Sequence, residues 1–598
     1  RGIPLPDDAP YGKVLIETRL TRTVGQSAFV LAGMTPTTSD APIVAAAANA
    51  GVWAELAGGG QVTGEILLER FRELAELLDP GVGVHVNTLY LDPYLWNLHL
   101  GANGVIFDLL RAGAPIRGIT VSAGIPPLDE ATALIEQLTD LGVETVTFKP
   151  GTVEGIGQVV EIANAVAPRP IAVHIEGGRA GGHHSWEELD HLLLATYHDL
   201  RACPNVVVCV GGGIGDPAVA ATYLDGTWAL GHGRRAMPLD GILIGTAAMA
   251  CAEATTSPQV KRLLVECTGT ASWIEAGSAR DGVASGRSQL GADLHELDNS
   301  ASRAGRLLDE VAGDAETVRR RHDEIVEAIG RTAKPWFGDV GAMTYLAVLE
   351  RFAELCAIGR HGRYEDGAWL DESWRDRFIS LLQRAEGRLC GPDHGRVVTV
   401  FPERADVDDP RAALANLRDR YPDAATTTLH PADVGFFVGV CGGPGKPVPF
   451  VPVIDADVRR WWRSDSLWQA HDDRYEADAV VVIPGPTAVA GIDRLDEPIA
   501  DLFARFETEA AAALAESQPG LRRRRGGGRR EVAPEDGPVG VLLGEPTVHW
   551  ENRRRRNPAL AIAPATDWWI DEHGVGHAPG GRATLRPLTR DRVALQVQ

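Results

Sequence analysis

Between residues 28 and about 250 the chain repeats one unit eight times: a short, almost unbroken apolar run, a glycine-containing or polar break, and a stretch long enough for a helix. The runs are Ala28–Ala32, Val52–Ala57, Val82–Val86, Ile116–Val121, Val143–Phe148, Ile171–Ile175, Val206–Val210 and Gly241–Ile244. Continuous apolar strands separated by helix-length segments are buried on both faces, which is the pattern of a parallel sheet covered by helices. Eight successive units predict an α/β fold of the closed (β/α)8 TIM-barrel type, and fit it better than the alternative of an open doubly wound sheet.

In such a barrel the C-terminal ends of the strands form one rim, where binding sites are built. The ends read Gly33-Met-Thr-Pro36, Gly58-Gly-Gly60, Asn87-Thr88, Ser122-Ala-Gly124, Lys149-Pro-Gly151, Glu176-Gly-Gly178, Gly211-Gly-Gly-Ile-Gly215 and Gly245-Thr246. Glycine at most of them allows close approach of backbone to a ligand. Gly211–Gly215 and Gly245-Thr246 follow the seventh and eighth strands, the pair of loops that commonly share a phosphate in this fold. Lys149 ends the fifth strand, where its ammonium can hold a phosphate, form a Schiff base or offset negative charge on a reduced ring. His183 and His184 lie after the sixth strand within Gly177-Gly-Arg-Ala-Gly-Gly-His-His-Ser185, and histidine can hand over a proton near neutral pH. Their glycine neighbours suggest backbone pressed against a ligand. His85 and His174 fall inside strands and read as structural.

The rest of the chain has a different texture. Residues 1–270 hold the barrel, and residues 271–395 read as a helical subdomain, with helical spacing over 300–330 and 343–390. Residues 396–517 read as an α+β segment that contains the proline-rich Lys446-Pro-Val-Pro-Phe-Val-Pro-Val453. The run Arg522-Arg-Arg-Arg-Gly-Gly-Gly-Arg-Arg530 marks 518–537 as a flexible linker, and 538–598 looks like the opening of another domain. The start, Arg1-Gly-Ile-Pro-Leu-Pro, has no Met and no apolar signal region and is expected to be an excised piece of a longer polypeptide. With 58 Lys and Arg against 81 Asp and Glu, the net charge of −23 argues against nucleic acid as a partner. No apolar run is long enough to span a bilayer, so no membrane is expected. The seven cysteines form no Cys-x-x-Cys pair or zinc-like cluster, so no metal is expected and a cytoplasmic setting with reduced thiols is.

Leu31-Ala-Gly-Met-Thr-Pro-Thr-Thr38, Glu55-Leu-Ala-Gly-Gly-Gly60, Phe148-Lys-Pro-Gly151, Gly177–Ser185 and Met237-Pro-Leu-Asp-Gly-Ile-Leu-Ile-Gly245 together resemble the enoyl reductase region of microbial (fungal and actinobacterial) type I fatty acid synthases. Lys334-Pro-Trp-Phe337, Met343-Thr-Tyr345, Lys446–Phe450, Asp465-Ser-Leu-Trp-Gln469 and Asp496-Glu-Pro498 resemble the segments that follow it, in the same order. The likeness covers roughly residues 15–515; it implies that 538–598 enter a hot-dog-like dehydratase region, although they carry no motif for one.

The resemblance implies an oxidoreductase that binds FMN, consumes NADPH and reduces trans-2-enoyl thioesters carried on acyl carrier protein. It places the FMN phosphate on Gly212, Gly213, Gly215, Gly245 and Thr246, and the flavin ring against Gly33, Met34, Thr35, Asn87 and Lys149. Gly178, Gly181 and Gly182 complete the implied cofactor set. His183 is the implied proton-handling residue, with His184 second. The implied partners are the other domains of the synthase, in a homo-oligomer when full-length. A nitronate-oxidising FMN barrel is the alternative enzyme, but would not need the 250-residue extension. A scaffold segment is the alternative outside enzymes, but would not need the glycine loops or His183.

Overall fold

The computed structural model describes residues 16–102, 104–287, 293–358, 367–390, 398–462 and 464–517, and beyond these five short strands. The expected linker, 518–537, lies outside the described residues. The chain divides into two compact units. One takes the chain through Ile274, Arg280–Val283 and everything from Ile483 onward; the other takes Glu275–Ala279 and Ala284–Val482.

In the first unit all eight expected runs are strands: β1 (Phe29–Leu31), β2 (Trp53–Ala57), β3 (Val84–Leu89), β4 (Ile116–Ser122), β5 (Thr145–Phe148), β6 (Ile171–Glu176), β7 (Val206–Gly211) and β8 (Gly241–Ile244). They are parallel and close into a barrel, with β1 pairing both β2 and β8 (Val30 opposite Trp53, Phe29 opposite Ile242). Alternate residues of each strand point inward. The bottom of the interior is apolar: Val30, Ala32, Trp53, Ala172, Val207, Cys209 and Leu243 pack together and are plugged by Leu20 and Val24 of the helix Arg19–Val24. Gly241 makes room for that plug, since a Cβ there would lie 2.7 Å from Leu20. Above this layer the interior turns polar, with Glu55, Thr120 and His174 fully buried. His85 stacks on Trp53 at 3.7 Å between ring centroids, and burial pushes its pKa well below the ordinary histidine value, so it stays neutral.

The chain returns to the barrel at its end. In the helix Ile499–Ser517, residues Ile499, Leu502, Phe503, Phe506, Ala510 and Leu514 form one apolar stripe buried in the barrel's outer core. Phe506 meets Phe29 edge-on at 6.0 Å. Burying side chains of this size stabilises by roughly 1.5–3 kcal/mol each.

The second unit is helical, as expected over 300–330 and 343–390, with helices Ser300–Val311, Ala315–Arg320, His322–Gly330, Tyr345–Cys356 and Glu372–Leu389. Helices Pro410–Arg420 and Pro431–Cys441 share its core: Leu417, Phe437 and Phe450 pack in one cluster with Phe352 and Phe378. The expected segment 396–517 therefore differs from what is found. Its first part belongs to the helical core, its last part to the barrel, and between residues 396 and 517 no regular strand occurs among the described residues. In the run 446–453, Pro447, Pro449 and Pro452 each lack the N–H that a ladder needs; the segment 396–517 makes isolated bridges instead, Trp336 to Val451 and Thr344 to Thr428. In the C-terminal region the strands order as His549–Glu551, Arg592–Val597, Ala583–Pro587, Gly576–His577 and Trp569–Ile570. Among the described residues no helix is long and apolar enough to cross a membrane.

Candidate active site

The rim is built where the polar interior reaches the strand ends. Glu55 on β2 is the centre of that layer. Its Oε2 accepts from the Gly33 amide at 2.9 Å and from Asn87 Nδ2 at 3.1 Å, and its Oε1 accepts from the Thr120 hydroxyl at 2.7 Å. His174 Nδ1 stands 3.3 Å from the same Oε1. Burial raises the carboxyl's pKa, but His174, Lys149 and Thr120 outweigh it and hold Glu55 well below the usual carboxylate range. Asn87 is held from its other side, with Oδ1 2.8 Å from the Ser122 hydroxyl. Gly33 must be glycine for this packing: a Cβ would sit 2.8 Å from Asn87 Cβ and 2.9 Å from Glu55 Oε2.

Lys149 ends β5 as expected, and its ammonium lies 3.2 Å from Glu176 Oε1 at the end of β6, with 12% of the side chain exposed. Burial disfavours its charge, but Glu176 and Glu55 more than offset that and raise its pKa, so it stays protonated. A fixed cation is thus held where β5 and β6 meet the rim. On the neighbouring loops, Met34 Sδ would lie 2.9 Å from a Cβ on Gly245, and Thr35 Oγ1 2.4 Å from one on Gly59, so the loop after β1 packs on those after β8 and β2.

The loops after β7 and β8 are drawn to a segment that sequence reasoning did not include. Thr487 donates its hydroxyl to the Gly213 carbonyl at 2.9 Å, and the Gly485 amide donates to Thr246 Oγ1 at 2.9 Å. Gly212 and Gly213 adopt φ of +89° and +94°, a turn that favours glycine. A Cβ on Gly215 would lie 2.3 Å from the Ala488 carbonyl oxygen. The segment 483–491 therefore forms a third wall beside the two glycine loops.

The glycines around the histidines also make room for protein. A Cβ on Gly178 would fall 1.6 Å from the Trp273 ring, and one on Gly181 would fall 2.4 Å from the Ile483 carbonyl oxygen. Gly182 adopts φ of +65°. Gly178 and Gly181 thus press against protein. His184 Nδ1 is 2.8 Å from the Ser185 carbonyl oxygen, and its ring meets Trp273 edge-on at 4.9 Å. His183 lies in the two-residue strand Gly182–His183, and only its backbone is among the described parts. Ser185 staples this loop to the one after β5 through a 2.5 Å hydrogen bond to the Gly151 carbonyl.

Sequence reasoning did not single out Thr120, Trp273, Gly485 and Thr487, and it gave no role to Glu55, Ser122 and Glu176, which stand in its motifs and strand ends. Glu55 had a signal, a charge inside an otherwise apolar strand; Gly485 and Thr487 had none, since their place depends on a distant return of the chain. Among the described residues, no group of three or more His, Cys, Asp or Glu side chains could hold a metal ion.

A protein-family model described as "Fatty acid synthase subunit beta/Fas1-like, helical" matches residues 170–503, more than half of the chain. The fatty acid synthase subunit beta of Aspergillus oryzae is 34% identical over 518 residues, which cover 83% of this chain and 25% of that protein. The subunit beta of Saccharomyces cerevisiae is 30% identical over 516 residues, 82% of this chain and 24% of that protein. The chain thus spans about a quarter of the length of these curated relatives. Among solved structures, the enoyl reductase domain of MlnA from Bacillus amyloliquefaciens aligns over 85% of this chain and 100% of its own at 12% identity, with a TM-score of 0.48. On the sequence match over residues 170–503, the chain belongs to the fatty acid synthase subunit beta/Fas1-like family.

Proposed function

We propose that the barrel is an FMN-dependent enoyl reductase that uses NADPH to saturate trans-2-enoyl thioesters carried on acyl carrier protein. The observation that carries this reading is the convergence of the glycine loops after β7 and β8 on Gly485 and Thr487, with Lys149 just after β5 and Asn87 near the end of β3 on the same rim. The residues fit the group: the left-handed turn at Gly212 and Gly213 and the Gly245-Thr246 loop offer backbone amides to a phosphate, and a protonated lysine suits a ring that gains negative charge. FMN, when bound, supplies hydride transfer from NADPH to the β-carbon of the enoyl thioester.

The chain's own residues do the rest. Gly212, Gly213, Gly215, Gly245 and Thr246 hold the phosphate; Gly33, Met34, Thr35 and Asn87 orient the ring; Lys149 offsets its charge. Gly178, Gly181 and Gly182 act one step back, by shaping the loop that carries the histidines. His183 gives the proton to the α-carbon, and His184 orients that loop. The acyl carrier protein, the other domains of the synthase and a homo-oligomeric, cytoplasmic setting for the full-length protein belong to the same reading, as does a dehydratase region beginning near residue 538.

The test is anaerobic reduction of FMN-loaded protein by NADPH, followed by addition of an enoyl thioester. Reoxidation by crotonyl or longer enoyl thioesters is the expected result. Reoxidation by nitroalkanes alone would assign the barrel to nitronate chemistry, and failure to take up FMN would leave it a scaffold.

A further inference from the structure

The acid buried beneath the rim has no place in the chemistry above. Glu55 is 0% exposed, yet it lies one layer below the loops that orient the ring. When ionised, a carboxylate only accepts, and this one takes donors from three other parts of the barrel, the Gly33 amide after β1, Asn87 Nδ2 on β3 and the Thr120 hydroxyl on β4, with His174 Nδ1 of β6 standing 3.3 Å away. Holding Asn87 Nδ2 on one side while Ser122 takes Oδ1 on the other fixes which way the Asn87 amide points. Holding the Gly33 amide fixes the start of the loop that sets Met34 against Gly245. A neutral Gln of the same shape does this less well, because it keeps one uncharged oxygen for the Gly33 amide and Asn87, a weaker acceptor than a carboxylate, and must turn its NH2 to the Thr120 hydroxyl.

We propose that Glu55 is a positioning residue of the cofactor site: a permanently charged acceptor in the barrel interior that orients Asn87 and the Gly33–Thr35 loop toward the flavin ring and sets the electrostatic field beneath it, with Lys149 as its counter-charge. Two consequences separate this role from simple packing. The first is geometric: loss of the acceptor loosens the Asn87 and Gly33 contacts and weakens FMN binding. The second is electrostatic: a fixed negative charge near the ring disfavours its reduced, more negative form, so loss of that charge makes reduction easier. A side chain that only filled space would produce neither.

The assignment rests on the flavin reading, and the experiment keeps the two apart. Wild-type apoprotein and Glu55→Gln are titrated with FMN, and the midpoint potential of the bound flavin is measured. The expected result for Glu55→Gln is at least tenfold weaker FMN binding and a positive shift of the potential worth about tenfold in the oxidised-to-reduced ratio, roughly 30 mV for a two-electron couple. If Glu55→Gln does not fold, Thr120→Val serves, since it removes one donor and keeps the charge; at least threefold weaker FMN binding is expected. FMN uptake by wild type, with unchanged affinity and potential in Glu55→Gln, or unchanged affinity in Thr120→Val where that variant is used, overturns the role of Glu55 alone. No uptake by wild type overturns the flavin reading and this inference with it.

Discussion

Thr487 donates its hydroxyl to the carbonyl of Gly213 at 2.9 Å, joining residues 274 positions apart in sequence. The bond fixes the left-handed turn of the loop after β7 from outside the barrel repeat. Thr487→Ala removes one hydrogen bond and little else, at a cost of about 1 kcal/mol. We expect FMN affinity to fall roughly fivefold, measured by quenching of flavin fluorescence, with the melting temperature of the apoprotein almost unchanged. Equal affinity in the two proteins would show that the third wall has no part in the phosphate site.

Arg201 and Asp240 form a buried ion pair at 2.5 Å, with side chains 5% and 0% exposed. The same Asp240 carboxylate accepts from the Val208 amide, tying a helix to β7 and the approach to β8. Asp240→Ala leaves a buried guanidinium without its partner, and removal of one member of such a pair costs roughly 3–5 kcal/mol. Urea unfolding should show a midpoint lowered accordingly. A loss below 1 kcal/mol would mean that water replaces the carboxylate.

His183 and His184 are distinguished by kinetics. His183→Ala should keep FMN and still accept hydride from NADPH, while turnover with enoyl thioester falls by roughly 100-fold or more, the scale of a lost general acid. His184→Ala should lose its contacts to Ser185 and Trp273 and fall by less. Stopped-flow measurement of the two half-reactions reads both. A larger loss in His184→Ala would exchange their roles.

The acid limb of stability carries a signature of Glu55. Its carboxyl is held below the usual range in the folded chain, against the lift of burial, by His174, Lys149 and Thr120. Its stabilising contribution is therefore present above the unfolded glutamate pKa of about 4.3 and is lost as pH falls from there toward the folded value. Lys149 behaves in the opposite sense: its folded pKa is raised, so its contribution is full below the unfolded lysine pKa of about 10.4 and is lost only above it. The stability gap between wild type and Glu55→Gln should stay constant from about pH 6 to 8 and narrow below about pH 4, as followed by denaturant unfolding across that range. A gap independent of pH would show that Glu55 has the same pKa folded and unfolded, and a gap that narrows as pH rises would show that it is protonated when folded.

The barrel was legible because a parallel strand buried on both faces must be apolar at nearly every position, as in Val206–Val210, so each strand announces itself without its neighbours. The rim was legible for a related reason: Lys149, Asn87 and the glycine loops stand where each run stops. What a glycine faces is another matter. Gly178, Gly181 and Gly213 look the same in sequence, but their missing Cβ atoms make room for different neighbours, Trp273, Ile483 and Thr487. His174 read as a structural strand residue, yet it approaches Glu55 within 3.3 Å, a relation set by strand register and not by local pattern. The return of Ile499–Ser517 onto the barrel was hidden because its amphipathic stripe would fit either unit.

The barrel's sequence is interrupted. It leaves its unit near Ile274 and comes back at Ile483, about 200 residues later, bringing Gly485 and Thr487 to loops made long before. On a ribosome adding roughly 5–20 residues per second, those loops are without their third wall for about 12–48 s after the eighth strand has emerged. During that interval all eight strands can be present while the proposed phosphate site is incomplete. On the proposed reading, cofactor capture follows synthesis of the intervening helical unit, so a nascent chain that stalls within that unit would hold a barrel not yet able to retain FMN.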